Sequence, residues 1–263
     1  MKYIAPLVIS TLLAMASILP AGAAPDTHET DVRQIDARDL VKAAFEHYRG
    51  KASRATVQMV IHRPTWERSM QMEGWTRGTS ESLIRITAPA KDEGNGTLKK
   101  GRDMWTYNPK INRVIKLPPA LMSQSWMGSD FSNNDLAKSD SILDDYVHTL
   151  SGTEVQDGHT VYVIKSMAKP DAPVVWGMQI LKIRDDRVML SEEFFDEDLK
   201  SVKLMTMADI QMLGGRLFPK IWKMHETGQT EKYTLLRYLD LHFLNTLPDR
   251  LFTRAELQTA RRR

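Results

Sequence analysis

Cysteine is absent from all 263 residues of this sequence. The absence excludes a disulfide framework and a thiol nucleophile, and it leaves no thiol to which a lipid anchor could be attached. The seven histidines are scattered, with no two inside four residues of each other, and neither an H-E-x-x-H nor a G-x-S-x-G pattern occurs. Because these motifs carry common metal and nucleophile chemistry, we expect no enzyme, no metal and no cofactor.

Long apolar runs are also scarce, and the one that stands out lies at the start. Residues 3–19 are apolar, follow the positively charged Lys2 and end at Pro20. The run falls short of the ~20 residues that a membrane span needs. It is followed by Ala21-Gly22-Ala23, which matches a signal-peptide cleavage pattern. The sequence therefore predicts a signal peptide at residues 1–23, a mature domain at 24–263, and a soluble protein of the bacterial periplasm.

Charge of one sign is not concentrated in any long block. Lys and Arg number 36 against 33 Asp and Glu, and no basic stripe is interleaved with aromatic residues, so we expect no nucleic-acid partner. Carboxylates occur in adjacent pairs such as Asp185-Asp186 and Glu192-Glu193. Neighbours on a strand point to opposite faces of a sheet, so such pairs do not converge on one substrate. The pairs in hairpins are better explained as turn formers.

One amphipathic helix is predicted near the start of the mature chain. Asp36 is placed to cap it, and Leu40, Ala44 and Tyr48 recur at helical spacing behind it. Gly50 stands where a helix ends. The apolar stripe of this helix must pack against another part of the protein.

Strands account for most of the remaining chain. Apolar and polar residues alternate in about a dozen segments, and Asp157-Gly158 gives a strong hairpin signal between two of them. The spacing of the strands is typical of an antiparallel barrel or sandwich, and the lack of alternating strands and helices makes a parallel sheet unexpected. No linker divides the chain, so we predict one domain.

The centre of the sequence is residues 101–136. A hairpin with strands at 103–107 and 113–117 is followed by Pro118-Pro119, which ends the sheet. The loop beyond it carries Trp126, Met127 and Phe131 around Gly128-Ser129-Asp130. A loop this rich in large apolar side chains is more than a solvated connection. We predict that it covers a cavity, and that Asp130 and Asp135 serve as caps and turn formers.

Soft apolar residues are unusually common, with 15 Met and 6 Trp in the whole chain. Methionine is flexible and polarizable and suits surfaces that accept varied apolar shapes, although it also fills ordinary cores. We predict that a curved sheet lines an apolar cavity. The residues predicted to face a ligand there are Met59, Ile61, Met70, Met72, Trp75, Trp105, Tyr107, Trp126, Met127 and Phe131.

The same central stretch carries a family resemblance, which extends over nearly all of the mature chain. Its most specific block is Met127-Gly128-Ser129-Asp130-Phe131, within the stretch from Trp126 to Ser132. The other matching residues are Met104-Trp105-x-Tyr107-x-Pro109, Arg113, Asp135-Leu136, Phe195-Asp196, Lys203, Gly215-Arg216, Pro219-Lys220 and Leu247-Pro248-Asp249-x-Leu251-Phe252-Thr253. In these residues the sequence resembles the LolA-like outer membrane lipoprotein-sorting protein family, in a longer and largely uncharacterised periplasmic branch. The resemblance implies a mainly β fold: an incomplete antiparallel β-barrel, LolA/LolB-like, with an N-terminal helix and a covering segment of loop and helix.

The function that the resemblance and the residues together predict is a periplasmic carrier. It would bind lipid or lipoprotein acyl chains, in lipoprotein sorting or in transport of another hydrophobic envelope component, as a monomer, and an inner-membrane transporter is a possible partner. One alternative is a binding or regulatory module that docks on a membrane transporter or sensor. A second is a hydrolase acting on envelope lipid, which would need Ser, His and Asp to converge in the cavity.

Overall fold

A computed structural model describes residues 36–259 of the chain, and a 13-stranded antiparallel sheet dominates them. The first strands are β1 (Ala52–Arg63), β2 (Trp66–Arg77), β3 (Glu81–Ala88), β4 (Gly96–Lys100), β5 (Asp103–Asn108) and β6 (Arg113–Lys116). The others are β7 (Tyr146–Gln156), β8 (His159–Ala168), β9 (Met178–Arg184), β10 (Met189–Phe195), β11 (Ser201–Leu213), β12 (Arg216–Glu226) and β13 (Tyr233–Leu244).

The sheet consists of two meanders joined at its middle. Strands β1 to β6 pair in chain order, as do β7 to β13. The meanders meet where β1 pairs with β13, in a register that runs from Ala52 opposite Leu244 to His62 opposite Tyr233. Strands β6 and β7 form the two edges and do not pair with each other, so the sheet stays open. The incomplete antiparallel barrel predicted from the sequence is confirmed.

The predicted N-terminal helix is present as α1 (Ala37–Arg49). Asp36 caps it by accepting a hydrogen bond from the backbone N–H of Arg38, and Gly50 ends it with the positive φ of 66° that glycine adopts without strain. Val41, Ala44 and Phe45 are buried on one face. That face packs against β7 and β9.

The connection between the two meanders runs from one edge of the sheet to the other. We call residues 117–145 the covering segment. It contains short 3₁₀ turns at Pro119–Leu121 and Trp126–Gly128 and the helices α2 (Asn133–Ala137) and α3 (Ser141–Asp144). Trp126 and Phe131 are buried in the main core, as are apolar residues of α2 and α3. The loop after Pro119 is therefore packed on the protein, as its apolar content predicted.

The described residues form two apolar cores. The larger one lies between the concave side of the sheet, α1 and the covering segment. The smaller one contains Leu83, Leu98, Tyr107, Phe252 and Leu257. The last of these belongs to α4 (Arg254–Gln258).

The predicted signal peptide, residues 1–23, lies outside the described residues. Among residues 36–259, no helix is both long enough and apolar enough to cross a bilayer.

Candidate ligand cavity

A cavity of about 290 Å³ lies between the concave face of the sheet, α1 and the covering segment. This volume is at the lower end of the range of about 300–1,000 Å³ that is typical of small-molecule sites. Its lining is mostly apolar. Contributing aliphatic and thioether side chains include Val57, Met72, Leu181, Met205, Met207 and Leu236, and the aromatic ones include Phe45, Tyr48, Trp126, Trp176, Phe194 and Trp222.

The strand register explains why these side chains meet. Residues directly opposite each other in an antiparallel pair project from the same face of the sheet. Met207 of β11 lies opposite Trp222 of β12, which lies opposite Leu236 of β13. Leu236 in turn lies opposite Met59 of β1, and Met59 opposite Met70 of β2. A continuous row of large apolar side chains therefore crosses both meanders on the concave face.

The predicted ligand-facing residues are distributed over three places. Met72, Trp75, Trp126 and Phe131 line the cavity. Met59, Ile61 and Met70 are fully buried in the same core but do not border the cavity.

Residues of the central hairpin lie elsewhere. Tyr107 is buried in the smaller core, where its hydroxyl donates to Asn112 Oδ1 at 3.0 Å, and Trp105 packs against the same core. Met127 is half-buried against the main core in a left-handed backbone conformation, with φ of 56°. The structure thus brings Trp126 and Phe131 of the covering segment to the cavity, but not the hairpin that precedes them.

Asp130 fastens the covering segment to the middle of the sheet. Its carboxylate forms a two-point ion pair with the guanidinium of Arg63 on β1, with N–O distances of 3.1 Å. It also accepts a hydrogen bond of 2.6 Å from Thr234 Oγ1 on β13. Lys203 Nζ on β11 donates to the backbone carbonyl of Asp130 at 2.9 Å. The aspartate of the most specific sequence block is therefore an anchor, which is a larger role than the predicted cap or turn former.

Asp135 does act as a cap, as predicted. Its side chain accepts from the backbone N–H of Ser132, while the Ser132 hydroxyl accepts from the backbone N–H of Asp135, which is a reciprocal capping box. The same carboxylate pairs with Lys203 Nζ at 3.0 Å and accepts from Trp176 Nε1 at 3.3 Å. On the other meander, Trp126 Nε1 donates to Thr97 Oγ1 on β4 at 3.0 Å. The covering segment is thus bonded to both halves of the sheet.

Four charged residues border the cavity, and none of them was among the ligand-facing residues predicted from the sequence. They are Arg49, Asp135, Lys138 and Glu192. Burial, and secondarily the negative charge of Asp135, raise the pKa of Glu192 to about 8. A signal existed in the sequence, because Glu192 and Phe194 alternate on β10 and so share a face. That alternation does not say which face is concave.

Burial in this region also shifts the pKa values of several tyrosine hydroxyls and of one lysine ammonium group. Burial raises the pKa of Tyr146 and of Tyr238 to about 12, and it raises the pKa of Tyr48 still further. Burial also lowers the pKa of Lys138 from its ordinary value. The cavity is therefore a place where polar groups are poorly solvated, which strengthens any hydrogen bond or ion pair formed inside it.

The described residues contain one cluster with the composition of a metal site, formed by His159, Asp185 and Asp186 at exposed hairpin ends. Asp185 accepts from His159 Nδ1 at 2.8 Å, and Arg184 contacts both His159 Nε2 and the Asp186 carboxylate. Arg184 is thus bonded to two of the three residues and His159 to the third, so these side chains are already paired with one another. The cluster lies in the turns, as predicted for Asp185-Asp186.

Several solved structures have this architecture. A LolA superfamily protein from Nitrosomonas europaea is 22% identical, with a TM-score of 0.71 over 84% of this chain and 99% of its own. A putative outer membrane lipoprotein-sorting protein domain from Vibrio parahaemolyticus is 21% identical, with a TM-score of 0.71 over 84% and 98%. A DUF1329 family protein from Desulfovibrio piger is 22% identical, with a TM-score of 0.75 over 84% and 97%.

These similarities establish the fold. The chain is a LolA-like open β-barrel with an apolar cavity on its concave face, which confirms the resemblance found in the sequence. A family model described as "Uncharacterized protein" matches residues 78–259, and the chain belongs to that family. Comparison with curated proteins finds no match.

Proposed function

We propose that this protein is a periplasmic carrier that holds an acyl chain, or another apolar envelope component of similar size, in the cavity. The observation that carries the proposal is the mostly apolar cavity of about 290 Å³ on the concave face. The sheet, α1 and the covering segment all contribute side chains to its lining. Packing against methionine and aromatic side chains supplies affinity without demanding one ligand shape.

The cargo class follows from what similar structures are named for. One of them is a putative outer membrane lipoprotein-sorting protein domain. We therefore propose lipoprotein acyl chains as one cargo and other single-chain lipids as another, with no catalytic step. The proposal includes export with a signal peptide at residues 1–23, a mature carrier domain at 24–263, and handover to or from a membrane transporter.

The docking-module alternative made a different structural prediction. A sealed core together with an exposed apolar patch would favour it, whereas the concave face of this sheet borders a cavity. The hydrolase alternative required Ser, His and Asp to converge there. The cavity borders Ser53, Ser82, Ser139, Ser141 and Asp135, but no histidine of the described chain lies among its lining residues. The carrier is the function that we retain.

Lipid uptake by wild-type protein and two matched variants tests the carrier. Ala55 borders the cavity, so Ala55→Trp places a large ring into the ligand space. Val155 is 81% exposed on edge strand β7, so Val155→Trp adds the same ring outside. We expect a fluorescent fatty acid to bind wild type and Val155→Trp equally, and to bind Ala55→Trp at least ten times more weakly.

Native mass spectrometry of protein purified without detergent provides the second readout. We expect a co-purified lipid on wild type and less of it on Ala55→Trp. Far-UV circular dichroism and the thermal midpoint check that both variants are folded. Absence of bound lipid and of fatty-acid uptake in wild type would rule the carrier out.

A further inference from the structure

Glu192 places a carboxyl group in the wall of the apolar cavity. It lies on β10 opposite Leu181 of β9 and opposite Met205 of β11, and all three residues border the cavity. Phe194, two residues further along the strand, borders it as well. The carboxyl is therefore surrounded within the sheet by apolar neighbours on both sides.

No side chain of the described residues satisfies this carboxyl. Other carboxylates nearby do have partners. Glu193, which points to the other face, accepts a hydrogen bond from Ser201 Oγ at 2.5 Å, and Asp135 forms an ion pair with Lys203. Within residues 36–259, Glu192 has neither kind of contact. Buried carboxyl groups are usually paired or hydrogen-bonded, because an unpaired one is costly in an apolar setting. A group inside a binding cavity has one further source of partners, which is the ligand.

Two basic residues, Arg49 and Lys138, also border the cavity. Arg49 donates from Nε to the carbonyl of Gly78 at 2.9 Å, and its Nη2 is buried without a hydrogen-bond partner in the described part of the chain. Lys138 ends α2, and the charges that act on it are those of Arg102 and Asp145. The charge that acts on Glu192 is that of Asp135, which is also negative. The surroundings of Glu192 therefore favour a cation over an anion.

Aromatic rings border the cavity together with Glu192. Trp176 and Phe194 have ring centroids 5.5 Å apart, and Tyr48 and Trp222 also lie 5.5 Å apart. Aromatic faces attract ammonium groups, and the attraction grows when water is excluded. A carboxylate beside aromatic rings is the combination that recognises an ammonium group buried in an apolar site.

We propose that Glu192 is an ammonium subsite within the cavity, and that the protein selects amphiphiles with an apolar body and an amino group. The amine pairs with the Glu192 carboxylate, while the apolar body occupies the remainder of the cavity. The inference rests on the proposed carrier function and names the ligand class of the same cavity.

Proton release accompanies binding. Titratable groups that face Glu192 are Tyr48 from α1, Asp135 from α2 and Tyr146 from β7, and Asp135 is neutralised by Lys203 from β11. The residues opposite Glu192 on β9 and β11 are uncharged. Since its pKa is raised to about 8, Glu192 holds a proton at pH 7 and loses it when an ammonium group arrives. Affinity for the amine therefore rises with pH up to about 8 and then levels off.

Isothermal titration with amphiphiles of one chain length tests the subsite. Dodecylamine, dodecanol and dodecanoate, each below its micellar concentration, are titrated into wild type, Glu192→Gln and Glu193→Gln. We expect wild type and Glu193→Gln to bind dodecylamine at least about tenfold more tightly than dodecanol, as a charge-assisted contact provides. We expect Glu192→Gln to bind the amine and the alcohol with similar affinity.

Repeating the isothermal titration in buffers of different ionisation enthalpy measures the number of protons released on binding. At pH 7 we expect close to one proton released per dodecylamine by wild type and none by Glu192→Gln, and at pH 9 none by either protein. Equal affinities for amine and alcohol in wild type, or tighter binding of dodecanoate than of the amine, would overturn the subsite and leave the carrier intact. Failure of all three amphiphiles to bind would overturn both proposals.

Discussion

Asp130 shows how one residue joins distant parts of this chain. Its side chain is 9% exposed and its partner Arg63 is 18% exposed, so the ion pair lies largely out of water. The same carboxylate accepts from Thr234 on β13. Arg63 and Thr234 belong to the two strands that join the meanders, so one carboxylate fastens the covering segment to that junction.

Removing this carboxylate should be costly. Asp130→Ala leaves the Arg63 guanidinium buried without its counter-ion, and we expect a loss of ~3 kcal/mol in the free energy of unfolding. The matched control is Asp103→Ala, which breaks an exposed pair with Lys116 in which the side chains are 50% and 56% exposed. Exposed pairs are worth ~0.5 kcal/mol. Urea unfolding followed by tryptophan fluorescence measures both, and equal losses would contradict the anchoring role.

Single residues also mark the limit of what the sequence could predict. Alternation grouped Met70 and Met72 on one face of β2, and the apolar loop pattern identified Trp126 and Phe131. Alternation alone does not show which of the two faces of a strand is the concave one. Tyr107 satisfies the same pattern but packs under α4, since β5 lies far from the sheet's middle. Glu192 was set aside as half of a carboxylate pair whose members point to opposite faces, because alternation does not show that its own face lines the cavity.

Among the elements, the covering segment depends on bonds at both of its flanks. Asp130 and Asp135 bond to β1, β11 and β13, and Trp126 bonds to Thr97 on β4. The segment contains little regular structure of its own. Its position is therefore set by these side-chain contacts and by the packing of its apolar residues.

The bond between Trp126 and Thr97 can be tested without emptying the core. Trp126→Phe keeps an aromatic ring and removes the indole N–H, while Thr97→Val keeps the shape and removes the acceptor. A hydrogen bond of this kind contributes ~1 kcal/mol, so we expect each single variant to lose at least that much. The double variant should lose less than the sum of the two. Strict additivity in denaturant unfolding would show that the bond contributes nothing.

Helices were easier to predict than the covering segment. In α1 the cap, the apolar stripe and the terminating glycine are all local signals, and all three appear in the structure. The covering segment lacks a repeating pattern, so its apolar content indicated burial without showing where. Its contacts with Arg63, Lys203 and Thr234 join residues far apart in sequence, which local patterns do not encode.

At the scale of the whole molecule, the two meanders share a single junction. Strands β1 and β13 are flanked on both sides by other strands, whereas β6 and β7 each have one free edge. Opening near an edge breaks few contacts, and opening at the junction breaks the sheet in two. Stability should therefore be unevenly distributed along the chain.

Native-state hydrogen exchange measures this distribution. We expect the amides of β1 and β13 to exchange only through global unfolding, and those of β6 to exchange at least a hundredfold faster through local opening. The amides of β12, one strand from the junction, should fall between these limits. Uniform protection from β6 to β13 would mean that the sheet opens as one unit, and it would contradict the two-meander description.

The overall architecture followed from the sequence more directly than the site did. Strand count, hairpin turns and the missing parallel units predicted an antiparallel sheet, and the block around Asp130 indicated the LolA-like form. The order of strands did not follow from alternation, because nothing local shows that β1 pairs with β13.

The pairing of β1 with β13 also has a consequence for biosynthesis. Ala52 pairs with Leu244, so the two strands of this junction leave the ribosome far apart in time, β1 early in synthesis and β13 near its end. Until β13 has emerged, the first meander lacks its neighbour, and Met59 of β1 lacks its partner Leu236. A nascent chain in this condition displays the apolar face that later encloses a ligand, so it depends on protection from its surroundings. The architecture that shields a ligand in the finished protein thus leaves the unfinished one exposed.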